Sequence, residues 1–268
     1  MKIGTSAGRV SAISTSNPRT IIVRGHDLCA ELIGSITFTD HIWLLITGAL
    51  PSGAQRKILD ATLVAIAEHG LVPSVQVSRT TLAAAPESLQ GAVAAGILGC
   101  GSVILGAAEA AGRFLAEIQQ RVMAGDVEPA ISSVIREYRA AGRAIPGFGH
   151  PLHKGRDPRA AALLDIARQA GCAGGHSDLL PKIESVLGKL IDKPLAMNVS
   201  GAIAAVLMDA GFPQLALKGV PILARAASLI AHLLEEQQRP IGFALSNAAA
   251  AAIQYDGLLP QGFKPSDE

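Results

Sequence analysis

The segment Pro146-Gly147-Phe148-Gly149-His150, with Asp157-Pro158-Arg159 a short distance beyond, gathers an imidazole, two glycines and a guanidinium around the start of one helix. These are parts suited to holding an acid. Gly147 and Gly149 permit backbone conformations that a Cβ would forbid, so peptide N–H groups can approach a ligand closely. Asp157 is a good N-cap and Pro158 a good first helical residue. Arg159 is therefore predicted to project from the first turn of a helix that runs to about Ala170 and stops at Gly171. His150 and Arg159 would then bracket one small cleft. The same residue types also make an ordinary turn before a capped helix, and the local pattern alone leaves both readings open.

The elements that must position these groups read as helices nearly throughout. Ile58, Leu59, Thr62, Leu63 and Ile66 fall on one face of a helix predicted to end at His69-Gly70. At that helix end the macrodipole would favour a protonated His69 and an anionic partner, although a plain C-cap role fits it too. Pro129 is predicted to open a helix carrying Ile131, Val134, Ile135 and Tyr138. Ser200 reads as the N-cap of a helix from Ala202 to Ala210, ended by Gly211 and Pro213. In a later helix Ile222, Leu223, Ala226, Ile230, Leu233 and Leu234 form the predicted apolar face. Arg225, Ser228 and His232 make a stripe away from that face, either a solvated surface or a polar site. A strand fits only the β-branched run near Thr20 to Val23, so the class is all-α.

Composition narrows the rest. With 49% hydrophobic and 17% charged residues, the 268-residue chain can bury a large core in one domain or two closely joined ones, and it is not disordered. A net charge of +1 without a basic run gives no electrostatic case for nucleic acid. Cys29, Cys100 and Cys172 lack C-x-x-C spacing and read as small hydrophobes in a reducing compartment; no metal is expected. Leu89 to Ala108 is an uncharged run long enough to suggest a membrane span. Its many glycines and lack of a basic flank favour a closely packed core helix, so no membrane partner is expected. Residues 1–25 carry no apolar targeting stretch, and a cytoplasmic location is the expectation.

Longer patterns carry a resemblance. The string from Ile145 to Ala160, I-P-G-F-G-H-P-L-H-K-G-R-D-P-R-A, is similar to the signature of the citrate synthase superfamily, P-G-[FY]-G-H followed by D-P-R. Arg24-Gly25-His26-Asp27 followed by Phe38, Leu44, Gly48, Leu50 and Pro51, then His69-Gly70 with Ser74, resemble the family's opening motifs. Ile222-Leu223-Ala224-Arg225 and Arg239-Pro240 resemble its closing arginine segments. The chain is much shorter than a citrate synthase and looks most like the compact citryl-CoA lyases and the lyase module of ATP-citrate lyase.

The resemblance implies an all-α, citrate synthase-like fold. A large helical domain would comprise 1–105 and 211–268, and a smaller CoA-binding domain, 106–210, would close over the site. It implies an enzyme that makes or breaks a C–C bond between an acyl-CoA and a 2-oxo acid, such as citryl-CoA going to acetyl-CoA and oxaloacetate. His150 would donate to the carbonyl or hydroxyl oxygen, with His69, Arg159 and Arg225 holding the acid. Arg239 would reach a neighbouring subunit's site in a homodimer or higher oligomer. Ile145, Gly147, Phe148, Gly149, Lys154 and Asn198 would hold coenzyme A. Two positions depart from the family pattern. Ile104 stands where citrate synthases have the histidine of G-P-L-H, and Ser200 stands where the family's N-V-D supplies the aspartate base. A serine hydroxyl cannot by itself take a carbon-bound proton at neutral pH, so the alternative is a family member that binds CoA esters or di- and tricarboxylates without turnover.

Overall fold

Polar residues placed just ahead of apolar runs start several of the helices. The computed structural model describes residues 10–101, 106–122, 125–149, 157–191 and 195–263, and these are mostly helical, as the periodicity predicts. Thr37 and Asp40 form a reciprocal capping box at helix α1, Phe38–Thr47, and Ser52 with Gln55 repeats it at α2, Gly53–Ala67. Then come α3 (Pro73–Ala84), α4 (Leu89–Leu98), α5 (Ala107–Val122), α6 (Val127–Ala140), α7 (Pro158–Gln169) and α8 (Gly175–Leu190). The described chain closes with α9 (Val199–Asp209), α10 (Gly219–Gln238) and α11 (Gly242–Ala252).

Ahead of these lies a small antiparallel sheet of β1 (Ser14–Ser16), β2 (Ile21–Val23) and β3 (His26–Asp27). The β-branched run marks β2, whereas β1 and β3 are too short and polar to show in the sequence. Arg24, in the left-handed region at φ 50°, sends Nε and Nη2 to the carbonyl of Leu45 at 3.0 and 2.5 Å. The first arginine of the opening motif thus fastens this sheet to α1.

Contacts divide the chain into two compact units, residues 1–68 with 101–225 and residues 69–100 with 226–268. The division falls inside α10, after Arg225. In the first unit α9 is the central element: Val199 and every residue from Gly201 to Leu207 are buried, and α2, α5, α7 and α8 pack around it. Each buried Ile, Val or Leu there contributes about 1.5–3 kcal/mol. Gln55 pins α2 to the end of α9 by donating to the carbonyl of Ala210 at 2.9 Å. Ile58, Leu59 and Thr62 of α2 are buried, and so are Ile131, Val134, Ile135 and Tyr138 of α6, as their spacing predicts.

In the second unit α3 packs on both α4 and α11. A Cβ on Gly96 of α4 would lie 2.7 Å from Leu229 Cδ1 and 2.9 Å from the Ser74 carbonyl oxygen, so only glycine fits. The close backbone packing expected from the glycines of this run is found there. Helix α4 itself has ten residues, about 15 Å at 1.5 Å per residue and half of a bilayer core. Among the described residues one helical stretch, Gln214–Gln238, is long and apolar enough to cross a membrane.

Four boundaries and faces differ from the sequence reading. Helix α2 ends at Ala67, with Glu68 already extended, so exposed His69 lies just past the cap and not in the last turn. Helix α6 begins at Val127, ahead of Pro129. The cap of α9 is Asn198, not Ser200. In α10 the predicted faces are mixed: Leu233 is buried as expected, but so are Arg225 and Ser228 of the polar stripe, while Ile230 and Leu234 are more than half exposed. That helix is apolar on nearly every side, so hydrophobic spacing could not choose its buried face.

Candidate active site

Asp157 is the junction of the site. Its carboxylate, 1% exposed, caps α7 by accepting from the Arg159 N–H at 3.1 Å. Oδ2 also accepts from the Val199 N–H at 3.1 Å, which ties the start of α7 to the start of α9. Burial pushes this carboxyl up, and the Arg159 guanidinium with the two backbone N–H groups outweighs it, holding it below the ordinary carboxylate value. Arg159 folds back on its neighbour, with Nε and Nη2 donating to Asp157 at 3.0 and 2.9 Å. Its fork is therefore engaged by Asp157, and the helix from Pro158 to Gln169 starts and stops as predicted, with Gly171 left-handed at φ 68°.

The glycine turn is pressed against the chain leading into α9. Gly147 has φ 85°, and a Cβ on it would lie 2.8 Å from the Cα of Gly201; a Cβ on Gly201 would lie equally close to the Gly147 carbonyl oxygen, at 2.8 Å. The two backbones are cross-bonded: Gly149 N–H donates to Ala196 at 2.7 Å, Asn198 N–H donates to Gly147 at 2.9 Å, and Phe148 pairs with Met197. Asn198 Nδ2 adds a bond to the Gly149 carbonyl at 2.7 Å. This corrects the expectation that the turn offers its peptide N–H groups to a ligand, since those of Phe148 and Gly149 donate to Ile145 and Ala196. Ile145 and Phe148 are buried in the core, Phe148 edge-on to Phe114 at 6.5 Å.

Ser200 is left without a structural task at the helix start. Asn198 Oδ1 accepts from both Ser200 N–H and Gly201 N–H, at 3.0 and 3.2 Å, which completes the cap. Ser200 is half-buried in the first turn of α9, beside the Gly147 turn. Sequence reasoning gave this capping role to the wrong residue because Ser and Asn are equally good caps two positions apart.

Among the described residues Arg225 is the charged side chain buried without full pairing; the Ser74 hydroxyl is the other buried side-chain group without a partner. Arg225 is 6% exposed, and its Nε and Nη1 have no hydrogen-bond partner there. An orphaned guanidinium in a buried position is costly unless an anion completes it. His69 and Arg239 are exposed and belong to the second unit. His150, Lys154 and Ile104 lie outside the described residues. Among the described residues no cluster of three or more His, Cys, Asp or Glu could hold a metal ion.

Three further polar residues were missed by the motifs. Asp209, 3% exposed at the end of α9, accepts from the N–H groups of Gly174, His176 and Ser177, from the Ser177 hydroxyl and from His176 Nδ1. It anchors the start of α8. Burial pushes its carboxyl up, but His176, Ser177 and the backbone donors bring it down to about 2. An acid at a helix C-terminus, set against the macrodipole, is the signal that could have found it. Arg79 and Glu236 form a buried pair in the second unit, 2% and 3% exposed. Arg79 is the sole charge in α3, which is its sequence signal.

The geometry can now be set beside known proteins. The profile of the citrate synthase C-terminal domain matches residues 54–242. The chain belongs to the citrate synthase family. The citrate synthase of Haloferax volcanii is 26% identical over 251 residues, covering 91% of this chain and 62% of that protein. The chain thus spans less than two thirds of the length of this relative. The structure of citryl-CoA lyase from Hydrogenobacter thermophilus matches at a TM-score of 0.83 and 32% identity, covering 96% of this chain and 97% of that one. ATP citrate lyase from Methanothrix soehngenii, solved in complex with citrate and coenzyme A, shares the fold at a TM-score of 0.75 and 22% identity; the match covers 97% of this chain and 43% of that one. The all-α, citrate synthase-like fold read from the sequence is the fold observed. In this chain the Gly147–Gly201 contact brings Pro146–Gly149 and Asn198–Gly201 side by side.

Proposed function

We propose that the chain is a citryl-CoA lyase-like enzyme that makes or breaks a C–C bond between an acyl-CoA and a 2-oxo acid. The observation that carries this reading is Arg225: a buried guanidinium with two donor nitrogens unpartnered is half of an ion pair whose other half is a ligand carboxylate. The likeness to a citryl-CoA lyase of nearly the same length supports it.

In the cleavage direction, the citryl hydroxyl gives up its proton as the bond between the carbinol carbon and the thioester methylene breaks. Oxaloacetate is released, and the acetyl-CoA enolate takes up a proton. His150 is the group for the hydroxyl proton, with His69, Arg159 and Arg225 on the carboxylates. Arg159 serves by its remaining Nη1 donor or by releasing Asp157. Ile145, Gly147, Phe148, Gly149, Lys154 and Asn198 form the CoA wall. For the glycine turn this means shape and carbonyl contacts, because two of its N–H groups are already bonded. A smaller domain over 106–210 closes on the ligand and excludes water.

The protein acts in the cytoplasm as a homodimer or larger, with Arg239 serving the neighbouring copy. The second unit supports such an assembly: Leu98, Phe243 and Ile253 are 83%, 65% and 76% exposed, and a second copy would cover them.

Ser200 sets the level of activity. A positioned base contributes about 10²–10⁴-fold, and a lone hydroxyl does not supply it. Citryl-CoA cleavage and thiol release are to be measured for wild type, Ser200→Asp and His150→Ala. Slow turnover by wild type, a gain on the order of 100-fold in Ser200→Asp and loss in His150→Ala are expected. Ligand binding with no turnover by either wild type or Ser200→Asp would replace the enzyme by a sensor of CoA esters or carboxylates.

A further inference from the structure

The turn that carries Arg239 is held from beneath by side chains that no motif singled out. Arg79 Nε donates to Glu236 Oε2 at 2.6 Å, Nη1 donates to Glu235 Oε2 at 2.8 Å, and Nη2 donates to the backbone carbonyl of Arg239 at 3.1 Å. Glu236 in turn accepts from the N–H groups of Ile241 at 3.0 Å and Gly242 at 2.8 Å. The Arg239 N–H is bonded to the Glu235 carbonyl at 2.6 Å, and Pro240 has no N–H to place. A Cβ on Gly242 would lie 2.5 Å from the Cβ of Ala83 and 2.8 Å from the Arg79 carbonyl oxygen, so the start of α11 is seated directly on α3.

These contacts leave the backbone from Arg239 to Gly242 one shape, with the Arg239 side chain exposed at its tip. A buried ion pair is a poor way to gain stability, since an apolar pair of the same volume does as well or better. It is a good way to fix a turn, because a guanidinium can address two carboxylates and a carbonyl in one plane. We propose that Arg79 and Glu236 are positioning residues for Arg239: they set the turn so that its guanidinium is presented to a ligand carboxylate. The inference rests on the reading of Arg239 as a ligand-binding residue.

Calorimetric titration with citrate tests it on the full chain, since it reads binding without requiring turnover. Arg79→Lys keeps the charge but cannot hold both glutamates and the carbonyl. Both Arg239→Ala and Arg79→Lys are expected to weaken citrate binding about tenfold, and the double variant to bind no worse than Arg239→Ala alone. A purely structural role would lower the melting temperature and leave affinity unchanged, or weaken it equally with and without Arg239; either result overturns the proposal. Should Arg79→Lys fail to fold, Glu236→Gln is read by the same comparison. If Arg239→Ala binds citrate like wild type, or wild type does not bind it, the reading of the site itself fails. If Arg239→Ala is impaired while Arg79→Lys is not, only the positioning role does.

Discussion

At Arg225 the demands of folding and of binding point in opposite directions. A buried guanidinium with two of its nitrogens unpartnered destabilises the protein until an anion completes it. Arg225→Met keeps the stem's packing and removes the charge. It is expected to melt at or above the wild-type temperature while losing on the order of 100-fold in citrate affinity, in line with removal of one partner of a buried charge pair. Thermal melts and titration check both halves, and a fall in both would make Arg225 a structural residue. The motifs singled out His69, His150, Arg159, Arg225 and Arg239 as candidates from residue type and spacing alone. Their engagements were not legible there. Nothing in the spacing of Asp157 and Arg159 says that the guanidinium turns back onto the carboxylate, because that depends on Val199 arriving from another helix to share it.

Among the elements, α9 shows what local signals can and cannot decide. Its end at Gly211 follows from the sequence, while its beginning depends on which of two good caps meets the turn at Gly147. Asn198 wins because its amide also reaches Gly149. Asn198→Ala should then destabilise by about 2 kcal/mol, a cap and a cross-strand bond together. Ser200→Ala should stay within about 0.5 kcal/mol of wild type. Urea unfolding of the two variants decides the matter, and the reverse order would return the cap to Ser200. Helix α10 is the opposite case. Hydrophobic spacing favoured Ile230, Leu233 and Leu234 as buried; Leu233 is, but Ile230 and Leu234 are exposed and the helix turns Arg225 and Ser228 inward. A helix with apolar residues all round carries no information about its face.

For the molecule as a whole, the all-α class was legible because several helices show helical apolar spacing and some of them, such as α1, α2 and α7, start at a capping residue. The anchoring of α8 by Asp209 was not, since its donors lie more than thirty residues away in the chain. That anchor gives stability a pH dependence. Asp209 is held at about 2 against an ordinary 3.8, so its contribution is complete above about pH 4 and is lost as pH falls through 2. The loss amounts to about 2 kcal/mol. Urea midpoints measured from pH 5 to pH 2 should fall more steeply in wild type than in Asp209→Asn, and parallel curves would contradict the assignment. The contact between Gly147 and Gly201 has a different consequence, one of motion. Two backbones that touch without side chains between them, and that exchange the Gly149 and Asn198 N–H bonds, cannot slide or separate by small steps. Residues 147–149 and 196–201 therefore move as one piece, and the Gly149 and Asn198 amides should trade deuterium at a common rate.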